Sequence, residues 1–213
     1  KIKALVTAGP TNEYIDPVRF ITNKSSGKQG YEIAKSLFKR GFDTTLISGP
    51  TNLKIDDEIN LIKVETAEEM FRATQNNLPT DIAILSAAVA DFKIDKKSVE
   101  KIKKQESLKI NLEKNIDILN YISNHNSMRP KLVIGFAAET SNLNENAAST
   151  LISKNCDWII ANDVSKEGQG FNSEYNEVTI FFKNPRNKKE KLSLRKKSEI
   201  SEEIVDKIVT QFN

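Results

Sequence analysis

Asp81-Ile-Ala-Ile-Leu-Ser-Ala-Ala-Val-Ala90 is an almost unbroken apolar run of ten residues. A half-exposed strand would alternate polar and apolar residues, so this run reads as a strand covered on both faces, as in a parallel sheet between helical layers. The flanking sequence follows the same plan. Upstream, Lys3–Ala8 is a buried strand and Gly27–Arg40 a helix with Ile33, Ala34, Leu37 and Phe38 inward, stopped by Gly41. Thr44–Ser48, closed by Gly49-Pro50, and Leu61–Val64 are two more strands. Thr66-Ala-Glu-Glu69 is a capping box opening a helix through about Asn76. Downstream come strands Leu132–Phe136 and Trp158–Ala161 around a helix over about Leu143–Lys154. Val178–Phe182 is a strand suited to antiparallel pairing, and Ser198–Phe212 is an amphipathic helix with Ile200, Ile204, Ile208 and Phe212 on one stripe. The βαβα order predicts an α/β fold: a Rossmann-like, open, mainly parallel sheet with helices on both faces.

One segment breaks the rhythm. Lys93 to Lys114 is polar and lysine-rich, with a period-2 strand at Leu108-Lys-Ile110-Asn-Leu112, and reads as an excursion or flap. The whole chain, 1–213, is expected to form a single domain. With 32 basic and 29 acidic residues, the net charge of +3 is too mild to point to nucleic acid. Lysines and arginines concentrate only at Lys101-Ile-Lys103-Lys104 and from Arg186 to Lys191. No apolar run approaches the ~20 residues of a membrane span, and the N-terminus lacks a signal-peptide pattern. The single cysteine, Cys156, allows no intramolecular disulfide, and the expected compartment is the cytoplasm.

Open doubly wound sheets bind ligands at the carboxyl ends of their strands. The loops expected there are Gly9-Pro-Thr11, Ala90-Asp91-Phe92, Phe136-Ala-Ala-Glu139 and Asn162-Asp163, three of them with a carboxylate placed to reach a ribose hydroxyl or a metal. Asp16-Pro-Val-Arg19-Phe and Asn23-Lys-Ser25-Ser26-Gly27-Lys lead into the first helix. Backbone N–H groups and a helix N-terminus there favour an anion, beside Arg19 and Asn23, which suit a phosphate and an acyl oxygen. Two nucleotide signatures fail. Gly27-Lys28 is followed by Gln29, so the P-loop is absent, and Gly27 with Gly30 gives only G-x-x-G. Tyr31 and Lys35 match a dehydrogenase spacing but follow no cofactor fingerprint. Lys101, Lys103 and Lys104 read either as a solvated basic face or as an arm over a polyphosphate. His125 has no neighbouring Cys or His to build a metal site or a triad, and Cys156 reads as a packing residue. Any chemistry would be positioning and charge rather than nucleophilic catalysis.

Taken together these runs resemble phosphopantothenoylcysteine synthetases. The resemblance rests on Thr7-Ala-Gly-Pro-Thr11, Asp16-Pro-Val-Arg19-Phe, Asn23-Lys-Ser-Ser-Gly27-Lys, Ala87-Ala-Val-Ala-Asp91-Phe, Lys101-Ile-Lys-Lys104, Gly135-Phe-Ala-Ala-Glu139-Thr140, Ala161-Asn-Asp163 and Phe171-Asn-Ser, which follow the family's order. It implies a ligase that joins 4′-phosphopantothenate to L-cysteine through an acyl-nucleotidylate, with Mg²⁺. It further implies that Asn23 holds the acyl intermediate and Lys101 the nucleotide phosphates. Ser86, Ala87, Ala88, Asp91, Phe136 and Lys114-Asn115-Ile116-Asp117 would bind base and ribose, with Lys154 on the nucleotide. Arg19, Ser25, Ser26 and Gly27 would lie near the phosphopantothenate. The Ala-Val-Ala-Asp91 and Lys-Ile-Lys-Lys104 forms resemble the bacterial, CTP-using branch. A homodimer is implied, with the excursion at its contact or over the site. So is a flavin-dependent decarboxylase partner, fused or separate, since a chain opening at Lys1 fits an excised half or a stand-alone version.

Three positions depart from that pattern: Lys24 for a histidine, Ile116 for a proline, and Thr150 for a nucleotide-binding lysine. The last removes one of two cations, a loss on the order of 1–3 kcal/mol in a charge-assisted contact. Two other readings compete: a nicotinamide-dependent oxidoreductase, disfavoured by the missing glycine fingerprint, and a non-catalytic subunit of a decarboxylase, favoured only by Thr150.

Overall fold

In the computed structural model, which describes residues 1–165, 173–185 and 188–212, the chain begins with strand β1 (Lys3–Ala8) and a short hairpin of β2 (Asn12–Tyr14) and β3 (Phe20–Thr22). Helix α1 (Lys28–Lys39), β4 (Asp43–Ser48), β5 (Asn60–Lys63), α2 (Ala67–Asn76) and β6 (Ile82–Leu85) follow. A second hairpin pairs β7 (Phe92–Ile94) with β8 (Leu112–Lys114) before α3 (Ile118–Ser123). The chain closes with β9 (Leu132–Glu139), α4 (Leu143–Ser153), β10 (Trp158–Asp163), β11 (Tyr175–Phe182), β12 (Lys189–Lys196) and α5 (Lys197–Phe212).

Eight strands form one sheet in the order β12-β11-β10-β9-β6-β1-β4-β5. The six from β5 to β10 are parallel, and β11 and β12 run antiparallel at one edge. Chain order reverses between β1 and β6, so the crevice at their carboxyl ends is the topological switch point. One face packs on α1 and α5, through Val6, Ile84, Ile134 and Ile160 against Ile33, Leu37, Ile200 and Ile204. The other packs on α2, α3 and α4, through Leu5, Ala83, Val133 and Ile159 against Met70, Ile122 and Leu151. The alternation of β-strand side chains divides each strand between these two cores. Among the described residues no helix is long and apolar enough to cross a membrane.

The expected strand Asp81–Ala90 is shorter than its apolar run. It leaves the ladder after Leu85 because the Thr7–Thr11 loop takes over its donors: Ala87 N donates to Thr7 Oγ1 (3.3 Å) and Ala90 N to Thr11 Oγ1 (3.0 Å). Conversely, Phe136–Glu139 and Asn162–Asp163 are not loops. Parallel pairing of β9 with β10 continues to Glu139 and Asp163, so both segments enter the crevice as strand ends. The strand expected at 108–112 begins only at Leu112, because its partner β7 stops at Ile94 and, after one further bond from Asp95 N to Asn111 O (3.1 Å), leaves 108–110 no ladder to join. The capping box on α2 is offset: Thr66 Oγ1 accepts from Glu69 N (3.2 Å), but Glu69 Oε2 accepts from Glu65 N (2.8 Å) instead of the cap residue.

Candidate active site

The first link is the seam between α1 and the strand ends. Gly30 lets α1 lie directly on β1 and on the end of β6, since a Cβ there would sit 2.6 Å from Ala8 Cβ and 2.5 Å from Ser86 Oγ. Ser86 Oγ in turn donates to Thr7 O at 2.6 Å. The approach sets Ser25–Gly27, at the N-terminus of α1, beside the 86–90 segment. Gly27, at φ +76°, caps the helix in the left-handed region that glycine tolerates. The first turn of α1 holds no acidic residue, leaving its positive end open to a ligand anion. Asn23 is tied to the same segment, its Nδ2 donating to Ala88 O (3.2 Å) and Val89 O (3.1 Å), which leaves Oδ1 as its available acceptor.

These groups open onto one cavity of about 870 Å³ at the switch point. Asn23, Ser25, Ser26 and Gly27 line it, and so does every residue assigned to the nucleotide except Lys101. On the α3–α4 side, Asp117 accepts from Asn120 N (2.9 Å) as the N-cap of α3, and its second oxygen pairs with Lys154. Lys154 is therefore fixed by a carboxylate at the cavity wall, with Thr150 one turn before it in the same lining. Asn115 is buried, its backbone N–H donating to Asp91 O (2.8 Å) and its Oδ1 accepting from Ile116 N (2.9 Å). Its Nδ2 has no hydrogen-bond acceptor among the described residues. A buried donor left unmet costs about 1–3 kcal/mol, which a ligand acceptor at this wall would recover.

Arg19 and Lys101 part from the others. They line a second cavity, of about 450 Å³, with Ile102, Lys103, Lys104, Gln105 and Leu108. The Arg19 guanidinium is committed within the chain: Nε and Nη2 donate to Asp16 Oδ2 (2.9 and 2.6 Å), and Nη2 also donates to Ile102 O (2.6 Å). Asp16 Oδ2 accepts from Ile102 N as well (3.1 Å), so one carboxylate and one guanidinium clasp the N–H and the C=O of a single residue in the lysine-rich excursion. Burial alone would raise the Asp16 pKa. The N–H of Val18, the Arg19 side chain and the N–H groups of Ile102 and Arg19 outweigh it and hold the carboxyl well below the usual carboxylate range. Arg19 is thus an anchor for the Lys101 arm in this chain, not a lining residue of the main cavity.

Lys28, Gln29, Asn176 and Lys197 also line the main cavity, on the α1–α5 side, and were not among the expected site residues. A signal existed for two of them. Asn176 holds the inward parity of Val178, Ile180 and Phe182, and Lys197 begins the stripe of Ile200, Ile204 and Ile208. Cys156 is buried, and burial pushes its thiol up to about 12, as a packing role implies. Among the described residues no group of three or more His, Cys, Asp or Glu side chains is arranged to hold a metal. The run Phe171-Asn-Ser lies outside the described residues except for Ser173.

The family model for the DNA/pantothenate metabolism flavoprotein C-terminal domain matches residues 1–212. The chain belongs to that family. The Coenzyme A biosynthesis bifunctional protein CoaBC of Haemophilus influenzae is 43% identical over 209 residues, covering 97% of this chain and 51% of that protein. The CoaBC of Escherichia coli is 41% identical over 217 residues, 100% of this chain and 52% of that one. A crystal structure of the C-terminal domain of CoaBC superposes with a TM-score of 0.81 at 37% identity, covering 99% of this chain and 95% of that chain. The chain therefore spans about half the length of the curated relatives it matches. The resemblance drawn from the motifs, and the Rossmann-like fold expected from the βαβα order, are borne out.

Proposed function

We propose that this chain is a phosphopantothenate–cysteine ligase of coenzyme A biosynthesis that uses CTP and Mg²⁺. The observation that carries this is the single cavity in which Asn23, the 86–91 segment, Asn115, Asp117 and Lys154 converge, in a chain of the CoaBC C-terminal family. The carboxylate of 4′-phosphopantothenate attacks the α-phosphate of CTP, forming an acyl-cytidylate and releasing pyrophosphate. The amine of L-cysteine then attacks the acyl carbon, forming the amide and releasing CMP. Attacking and attacked groups are both anionic, so the site's task is to neutralise charge and hold the line of attack. The positive end of α1 and Lys154 serve the phosphates, and the Asn115 amide and the 86–88 backbone serve base and ribose. Asn23, braced on Ala88 and Val89, holds the acyl group. Lys101 brings its charge from the excursion onto the triphosphate as the arm folds over the cavity.

Mg²⁺ fits this donor set as a passenger of the triphosphate, since such ions take one or two carboxylates plus substrate phosphates. Asp91 is the cavity-lining carboxylate outside an ion pair among the described residues, whereas Asp117 is paired with Lys154. The ion would supply charge neutralisation at the phosphates. Two copies of the chain form the working unit in this reading, supported by exposed Val18, Phe20, Phe92 and Leu112 on or beside the two small hairpins. A decarboxylase half, in the same polypeptide or as a partner, would take the product, and the site of action is the cytoplasm.

Separating the two half-reactions tests the reading. Lys101→Gln should abolish pyrophosphate release, whereas Asn23→Asp should release pyrophosphate and stall before the cysteine adduct. Full turnover in both variants would overturn the assignment.

A further inference from the structure

The first turn of α1 is where the site needs rigidity and where the local sequence supplies least of it. Gly27, at the N-cap, has no side chain with which to cap the helix. The serine contacts to the turn are long: Gly27 N donates to Ser25 Oγ at 3.3 Å and Lys28 N to Ser26 Oγ at 3.4 Å. The ion pair of Lys28 with Glu174 is a weak tether, because the side chain of that carboxylate is 70% exposed. A helix end in this condition frays unless contacts from elsewhere in the fold hold it.

Gln29, the second residue of α1, makes such contacts. Its Nε2 donates to Lys197 O (3.2 Å) and Ser201 Oγ (2.7 Å) at the start of α5, and its Oε1 accepts from Asn176 Nδ2 (3.2 Å) on β11. A backbone carbonyl can only accept, so the amide faces α5 in one orientation, with Oε1 turned to Asn176. Ser201 is fully buried and Asn176 nearly so, which shields these bonds from competing water. Asn176 is held in its turn. Its Oδ1 accepts from Glu177 N (3.1 Å) and faces Asn162 Nδ2 (3.5 Å) on β10. It also sits where the register of β11 against β12 shifts, an irregularity of the kind that re-aims side chains beside a site. Gln29, Asn162 and Asn176 all line the main cavity. One side chain thus ties the anion-facing turn of α1 to α5 and to two strands of the sheet.

We propose that Gln29 is a positioning residue for phosphate binding, which acts with Asn176 as one amide relay to lock the first turn of α1. The N–H groups of that turn then meet a phosphate in a fixed place. The role rests on the ligase reading above, in which that phosphate belongs to the nucleotide. Gln29 acts through the backbone of its own turn rather than on the reacting atoms.

Gln29→Met and Asn176→Leu, which keep the approximate shape and delete the bonds, test this in the whole chain, singly and combined. Hydrogen exchange read by mass spectrometry should quicken in peptides over 26–31 and stay unchanged over 33–39. Titration with inorganic pyrophosphate should show roughly tenfold weaker binding. In pyrophosphate release, kcat/KM for CTP should fall by a similar factor, since a displacement of ~1 Å suffices. Because both residues act through one turn, the double variant should lose about as much as the worse single variant. Unchanged exchange over 26–31 in folded Gln29→Met would overturn the proposal. Faster exchange with wild-type pyrophosphate affinity and kcat/KM would also overturn it, because the bonds would then be structural only. Losses that multiply in the double variant would overturn the relay, and a wild type that binds no pyrophosphate would overturn the whole. Should Gln29→Met fail to fold, Ser201→Ala, which deletes one of the three bonds, should show the same changes at smaller size, and wild-type behaviour there would refute the role. A wild type that binds pyrophosphate but turns over no nucleotide removes the ligase reading alone, because exchange and pyrophosphate affinity still decide the role of Gln29.

Discussion

Gly30→Ala puts the contact between α1 and the strand ends under direct strain. The added methyl would lie 2.5 Å from Ser86 Oγ and 2.6 Å from Ala8 Cβ, where 3.4–4 Å is ordinary contact. Ala8 belongs to a fully buried strand end, so the helix must withdraw by about 1 Å to restore ordinary spacing. Overpacking of this kind costs ~1–3 kcal/mol. The better helix propensity of alanine returns up to ~1 kcal/mol, leaving a net loss of about 1–2 kcal/mol and a fall in Tm of roughly 2–8 °C. The functional effect should exceed the thermal one, because α1 carries Ser25–Gly27 and Lys28 into the cavity. A misplacement of ~1 Å can cost up to ~10²-fold in rate. Thermal denaturation and pyrophosphate-release kinetics, run on the same preparations, should show a folded protein with kcat/KM reduced roughly 10- to 100-fold. Adding Ser86→Ala removes one of the two clashes and should restore part of that loss. Wild-type Tm and kcat/KM in Gly30→Ala would refute the claim that this close approach aligns the site.

Other perturbations follow from the same contacts. Asp16→Asn should lower stability at pH 7 by weakening the clasp on Ile102. Because the folded pKa of Asp16 is depressed, that difference is fully present above the unfolded value of about 3.9 and shrinks as pH falls below it, which urea denaturation at pH 7 and pH 3 would check. Lys154→Met leaves Asp117 facing the polyphosphate without its cation, and should raise the KM for nucleotide roughly tenfold, about 1.4 kcal/mol, with a smaller effect on kcat. Cys156 should resist alkylation at pH 8 in the native protein and react after denaturation, because its thiol is buried with a pKa pushed up to about 12.

The parallel sheet was readable because its central strands, such as Lys3–Ala8, are apolar on both faces, which few other folds require. The edge was not. Strand β12 reads Lys-Glu-Lys-Leu-Ser-Leu-Arg-Lys and buries only Leu192 deeply, so as an edge strand it carries charges where the pattern needs alternation. Helix α3 spans six residues, too few for periodicity, and its one local mark is the Asp117 cap. The hairpin of β2 and β3 has three residues a strand and is held by Asp16, a contact pattern that no local propensity encodes.

The site divides in the same way. Residues in contiguous runs, Asn23 to Gly27, Ser86 to Asp91 and Lys114 to Asp117, were legible and meet in one cavity. Lys28, Gln29, Asn176 and Lys197 come from α1, β11 and α5, which only tertiary packing brings together. Arg19 and Lys101 were legible as cations, but only the structure joins them, through the peptide of Ile102.

Pyrophosphate release from CTP with 4′-phosphopantothenate and Mg²⁺, measured with and without L-cysteine and with ATP in parallel, tests the ligase most directly. The account predicts pyrophosphate that depends on phosphopantothenate, CMP and the cysteine adduct only when cysteine is added, and a preference for CTP over ATP. Folded, dimeric protein that releases no pyrophosphate with either nucleotide would contradict it.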